Sequence, residues 1–183
     1  MKTFAIIPEK FSADRVVNSL PDLIKSRVHY LYLRGMTTRA EITELVEEIN
    51  KTDIIPVLSY KTLFENNLSV YGVHYKSTEI DHIAEEQHGC AILTASAHDA
   101  DTAKDLLGKG VDYVYVSPVF KPLSKEGDCR ELFPKDQIIS LTKEFEERVV
   151  LLGGLTKNRI EELRKSIKND FSVSGITLFF NKA

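Results

Sequence analysis

The stretch AILTASAHDADTAKDLLGKGVDYVYVS, residues 91–117, decides the fold. It opens on one short apolar run, Ala91–Ala95, and closes on another, Asp112–Ser117. Neither run alternates cleanly between apolar and polar residues, so each reads as a strand buried on both faces, as in a parallel sheet. Between them, Asp99 or Asp101 can cap a helix whose apolar face holds Ala103, Leu106 and Leu107. Gly108-Lys109-Gly110 then ends that helix. Strand, helix and parallel strand make one repeating unit.

The same alternation runs through the rest of the chain. The other strand candidates are Thr3–Ile7, His29–Arg34, Ile54–Leu58, Tyr71–His74, Arg148–Leu152 and Val173–Phe179. Thr38-Arg39-Ala40-Glu41 reads as a capping box before Ile42, Leu45, Val46 and Ile49. Thr156 can cap a helix with Ile160, Leu163 and Ile167 on one face. The helices after Leu58 and His74 read as short. A helix starting at Ser12 meets Pro21 midway, which predicts a break or kink there. The pattern gives eight strands and seven helices, with strand starts every 20 to 25 residues or so. That spacing fits a small (β/α)8 barrel, a TIM barrel, over an open doubly wound sheet, whose units alternate in the same way. About 36 residues separate the sixth and seventh strands, which predicts a long loop after Ser117. The last helix is missing from the pattern, so an apolar stripe needs cover. The amino-terminal segment or a partner subunit would supply it, and a homodimer is therefore expected.

Composition narrows the function. The chain has 183 residues with 24 Lys plus Arg against 27 Asp plus Glu, a formal charge of -3. That suits a single domain over residues 1–183 and argues against nucleic acid, which draws a basic excess. No apolar run approaches the ~20 residues that span a bilayer, and the apolar part of residues 1–9 is too short for a signal peptide. Cys90 and Cys129 make neither a disulfide framework nor a zinc site, so a cytoplasmic location is expected.

In a barrel the active site lies at the carboxyl ends of the strands. These ends bring Arg34 after strand two, Ser59-Tyr60-Lys61 after strand three, and His74 with Tyr75-Lys76-Ser77-Thr78-Glu79 at strand four. Strand five brings Ser96-Ala97-His98. Strand six brings Ser117 and a loop with Lys121, Ser124 and Lys125. Strand seven brings Gly153-Gly154 and Thr156. Cations and hydroxyls dominate this face of an acidic chain, which points to an anionic, phosphorylated ligand. The glycine pair lets backbone N–H groups approach phosphate closely.

Ser96-Ala97-His98, Gly110-Val111-Asp112-Tyr113, Pro118-Val119-Phe120, Ser124-Lys125 and Gly153-Gly154-Leu155-Thr156 together resemble thiamine phosphate synthase and its thiazole tautomerase relatives. Gly72-Val73-His74 fits the same pattern. The resemblance covers nearly the whole chain and is strongest from Gly72 to Thr156. It implies a (β/α)8 barrel that joins an aminopyrimidine methyl diphosphate to a thiazole phosphate, releasing diphosphate. By position, it implies that Arg34, Ser96 and Lys125 hold the diphosphate. Ser124, Gly153 and Gly154 would meet the thiazole phosphate, with Thr156, His98 and His74 beside the substrate. Glu79 would ligate magnesium. The implied partners are small phosphorylated heterocycles, and the implied cofactor is Mg²⁺.

Several positions depart from that pattern. Tyr32 and Met36 flank Arg34 where the family has glutamine and lysine. Ser59-Tyr60 stands for an Asn-Asp pair, so a magnesium carboxylate is lost, and Thr78 stands for the first acid after strand four. Lys121-Pro122 replaces Pro-Thr, and Leu178-Phe179-Phe180 replaces small residues and a serine. Lys61, Lys76 or Lys121 are candidates to replace the lost charge. A tautomerase needs no diphosphate apparatus, but the tautomerase histidine falls at Pro118. His98 and His74 are the candidate bases in its place, each with a structural alternative: His98 as a helix-start residue and His74 as a buried hydrogen-bonder. His29, His82 and His88 read as surface or core residues, Cys90 as core and Cys129 as a thiol without a base. The expected activity is therefore synthase-like. A tautomerase-like enzyme or a non-catalytic binder of thiazole or thiamine phosphate is the alternative. The loop Pro118–Pro134 is a candidate lid.

Overall fold

The computed structural model describes residues 1–68, 71–84, 90–121 and 130–180. Eight strands, all parallel, close on themselves in sequence order: β1 (Thr3–Ile6), β2 (Tyr30–Tyr32), β3 (Ile55–Ser59), β4 (Gly72–Tyr75), β5 (Ile92–Ala97), β6 (Tyr113–Val116), β7 (Val149–Leu151) and β8 (Ser172–Gly175). β8 pairs back onto β1 with Phe4 opposite Ser174, so no sheet edge is left exposed. Six α-helices stand around the barrel: α1 (Ala13–Lys25), α2 (Arg39–Ile49), α3 (Tyr60–Asn66), α4 (Ala100–Gly108), α5 (Lys135–Phe145) and α6 (Lys157–Ser166). After β4 the expected helix is a 3₁₀ segment, Ile80–Ala84. Seven helices were expected; the described residues hold six α-helices, this weaker turn and a second 3₁₀ turn, Glu146–Arg148.

Alternation along each strand divides the core in two. Ala5, Leu31, Leu58, Val73, Ala95, Val114, Leu151 and Val173 face the helices. Phe4, Ile6, Tyr30, Tyr32, Val57, Tyr115 and Val150 fill the lumen. The lumen is thus rich in rings where such barrels usually hold branched aliphatics. Phe4 stacks on Tyr30 at 4.4 Å and meets Tyr113 edge-on at 5.0 Å.

The helix starts follow their caps. Asp99 accepts a 2.8 Å bond from Thr102 N and opens α4. Thr38 precedes α2, but its hydroxyl turns to the Glu41 carboxylate instead of a backbone N–H. Two expectations are corrected. α1 runs unbroken through Pro21. Pro21 is exposed, while Val16, Leu20 and Leu23 bury the opposite stripe, so the lost hydrogen bond faces water. The last strand stops at Gly175 and does not continue to Phe179. Phe179 N and Phe180 N both donate to Ile176 O, which turns the chain back. Phe180 then meets Phe11 edge-on at 5.3 Å, with the Arg15 guanidinium 3.8 Å over the Phe11 ring. The segment before α1 thereby covers apolar surface beside β8.

Arg148 ties the amino-terminal end of the barrel. Its Nη2 donates to Leu107 O at 2.9 Å and Val111 O at 2.8 Å, carbonyls at and just after the close of α4. Arg148→Met removes both donors and is expected to destabilise the fold by about 2 kcal/mol. An unchanged urea midpoint would contradict this role.

Candidate functional site

A cavity of about 720 Å³ opens at the carboxyl ends of the strands, within the range of small-molecule sites. Its rim is built from the loops after β1, β2, β4, β5, β6, β7 and β8. Its described lining holds four cationic side chains, Lys10, Arg34, Lys76 and Arg130, against one carboxylate, Glu9. The chain as a whole carries -3. The positive charge is therefore concentrated at the mouth.

At the floor, His74 on β4 is 4% exposed. The Thr94 hydroxyl donates to Val73 O at 3.0 Å, so its oxygen is free to accept from His74 Nδ1, 2.9 Å away. That network assigns the proton to Nδ1 and leaves Nε2 to accept from the Ser96 hydroxyl at 3.0 Å. Burial, with a smaller contribution from Lys76, pushes the His74 pKa down to about 3. His74 is thus a neutral acceptor that orients Ser96, and Ser96 turns its lone pairs toward the cavity. Tyr32 lies 4.7 Å from the His74 ring and Tyr115 meets it edge-on at 4.9 Å.

His98 sits at the other side of the mouth. It is the first residue after β5 and is exposed. Its Nδ1 donates to Ser117 O at 2.8 Å, and the Ser117 hydroxyl is 3.5 Å from the same nitrogen. The carbonyl fixes the tautomer, so Nε2 carries the available lone pair. Both residues line the cavity.

Arg34 lines it too, and its Nε lies 3.3 Å from Glu9 Oε1 without an aligned hydrogen bond. Glu9 thus offsets part of the arginine's charge. Gly153 and Gly154 have φ of 102° and 61°. A Cβ on Gly153 would come 2.9 Å from Pro118 Cα, and one on Gly154 would collide with Lys121 O. The pair is therefore required by the loop packed against it. Gly153 O accepts from Phe120 N, and Gly154 O from Arg159, so what the pair can offer the cavity is its N–H groups. Gly154→Ala is expected to cost about 3 kcal/mol, from the left-handed backbone and the collision together. Wild-type urea stability in that variant would refute the close packing.

The remaining expected residues divide. Thr156 caps α6, accepting from Arg159 N at 3.3 Å, and is not among the lining residues. Glu79 is not among them either; its carboxylate accepts from Lys76 N at 3.0 Å. Ser124, Lys125, Cys129 and His88 lie outside the described residues, as do residues 122–129 of the loop Pro118–Pro134. Lys61 pairs with Glu65 on α3. Tyr60 lies behind the barrel wall, stacked on Tyr75 and His82 at 5.0 Å each. Among the described residues no three His, Cys, Asp or Glu side chains gather as a metal site. Tyr60 is aromatic and buried, Glu79 is engaged with backbone, and Glu9 faces Arg34. Among the described residues, then, no set of carboxylates at the mouth fits magnesium.

Sequence reasoning passed over Glu9 and Lys10, the end of β1, although the rule applied to the other strands would have found them. It also passed over Arg130, Tyr115 and Ser174. Ile176 and Thr177 line the mouth because β8 ends earlier than its apolar continuation suggested.

A family model described as thiamine monophosphate synthase matches residues 3–176. A putative thiamine-phosphate synthase 2 from Aquifex aeolicus (strain VF5) is 26% identical, with 97% of each chain covered. Among solved structures, the thiamine phosphate pyrophosphorylase of Pyrococcus furiosus superposes with a TM-score of 0.73 at 19% identity, over 96% of this chain and 85% of that one. The enzyme of that name from Bacteroides thetaiotaomicron gives 0.66 at 18% identity, over 100% and 86%. At these identities the structural likeness speaks for the fold alone. None of the described helices is long and apolar enough to cross a membrane.

Proposed function

Because the chain belongs to the thiamine monophosphate synthase family, we propose that it binds a small phosphorylated heterocycle at the barrel mouth and shifts a proton on it. The reaction class is that of the thiazole tautomerase relatives, which aromatise a thiazole carboxylate phosphate. One C–H bond breaks and another forms, so no metal, oxidant or second substrate is needed. The observation that carries the reading is the described lining: among the described residues it holds four cations and one carboxylate, with that carboxylate turned to Arg34. Such a rim attracts phosphate. The phosphate meets the N–H groups of Gly153 and Gly154, as is common after strands seven and eight of barrels. The ring enters the lumen over Tyr32 and His74. His98 Nε2 is the base, directed inward because Nδ1 is tied to Ser117. Ser96, held by His74, orients the substrate.

The synthase reaction is the second reading. What favours it is that Arg34 and Ser96 both line the cavity, with Lys76 beside them to neutralise a diphosphate. A parallel assay separates the two. Thiazole carboxylate phosphate is offered in EDTA-treated buffer, and aminopyrimidine diphosphate with thiazole phosphate is offered with Mg²⁺. Aromatisation without metal is the expected result. Thiamine phosphate formed only with Mg²⁺, and no aromatisation, would establish the second reading over the first.

A further inference from the structure

The floor of the cavity carries two hydroxyl groups that the reading above leaves without a role. Tyr115 on β6 is 1% exposed and Ser174 on β8 is 0% exposed, yet both line the cavity. Neither hydroxyl has a hydrogen-bond partner among the described residues. A buried hydroxyl without a partner is destabilising and uncommon, so each such group calls for a water or a ligand. The two flank the same ring. Ser174 is the register partner of Phe4 across β1 and β8, and Tyr115 meets Phe4 edge-on at 5.4 Å. The other neighbours are the rings of His74 and Tyr32. No ionised group stands among them: burial keeps His74 neutral and holds the Tyr115 hydroxyl protonated, its pKa well above the usual tyrosine range. The cations are all at the rim. An ionised ligand group at this depth would lose its hydration without gaining a counter-charge.

We propose that Tyr115 and Ser174 form a specificity subsite that takes a neutral hydrogen-bond acceptor on the ligand's ring, a ring nitrogen or a carbonyl, while the phosphate remains at the rim. The inference rests on the reading that the ligand is a phosphorylated heterocycle. Tyr115 donates to the acceptor, and Ser174 donates to the same atom or to one beside it. A ligand lacking the acceptor would leave both hydroxyls unpaired, and sites built this way discriminate by that penalty.

The test compares two probes, inorganic phosphate and thiazole phosphate, on the wild type, Tyr115→Phe and Ser174→Ala by titration calorimetry, with thermal unfolding alongside. Each substitution removes one hydroxyl and keeps the shape of the lumen. The expected result is about tenfold weaker thiazole phosphate binding in each variant. Phosphate binding stays within about twofold, and the melting temperature is equal or higher, because an unpaired buried hydroxyl has gone. Unchanged thiazole phosphate affinity in either variant overturns the inference, the hydroxyls then serving only water. A wild type that binds thiazole phosphate no tighter than inorganic phosphate overturns the functional reading, and this inference with it.

Discussion

Replacing His98 by Gln is expected to lower turnover of thiazole carboxylate phosphate by about 10²–10⁴-fold, the range for loss of a positioned acid–base group. Ser117 O accepts from Nδ1 at 2.8 Å and so decides which nitrogen keeps its lone pair. His98 is also where β5 hands over to α4, so the barrel itself fixes its position. Gln can donate to the same carbonyl but cannot take a proton. Substrate affinity should therefore change little if, as proposed, the phosphate meets the Gly153-Gly154 N–H groups instead. The loss should appear in kcat with KM within about threefold. The helix is left intact, since α4 is capped by Asp99 and not by His98. A His98→Gln enzyme with wild-type kcat would remove the residue from the chemistry and return it to the plain helix-start role.

The second large effect is on stability and its pH dependence. His74 has a native pKa of about 3, against 6.5 when unperturbed. Between those values the unfolded chain binds a proton that the native chain does not. Stability therefore rises with pH across the window and is lost as pH falls through it. Below about pH 6 each pH unit is worth about 1.4 kcal/mol, so about 2 kcal/mol disappears between pH 6.5 and 4.5 through this residue. Titrating carboxylates act in the same range, so the informative quantity is a difference. His74→Asn lacks the ionisable ring. It should be less stable than the wild type at neutral pH, because packing against Tyr32 and Tyr115 is lost. The gap should close as the solution is acidified. Urea curves for the two proteins that stay parallel from pH 7 to 4.5 would show that His74 is not buried neutral.

How much of this was legible beforehand depends on the kind of signal. The barrel followed from short apolar runs at a steady spacing, which burial on both faces of a parallel strand imposes on sequence. Capping by Asp99 and Thr156 was equally local. Pro21 misled because proline's cost depends on whether its side of the helix faces core or water, and only the packed structure shows that. The β8 boundary misled because Ile176-Thr177-Leu178-Phe179-Phe180 has strand-like composition. The chain turns there so that Phe180 can reach Phe11, a contact between the two ends of the sequence. At the site, strand ends gave Arg34, Ser96, His98 and the glycine pair. Whether a strand-end residue faces the mouth or the backbone is a question of rotation and partner. Glu79 and Thr156 turned to main-chain N–H groups, and Tyr60 turned behind the wall. The unpaired hydroxyls of Tyr115 and Ser174 could not be read at all, since a missing partner is a property of the packed lumen.

The proposed activity is proton transfer on a phosphorylated heterocycle without metal. The most direct measurement is a proton NMR time course of thiazole carboxylate phosphate with the protein in D₂O containing EDTA. The expected result is conversion to the aromatic isomer, with solvent deuterium on the carbon that gains the proton, and loss of that conversion in His98→Gln. A folded wild-type protein that leaves the compound unchanged, or that acts only when Mg²⁺ is restored, would contradict it.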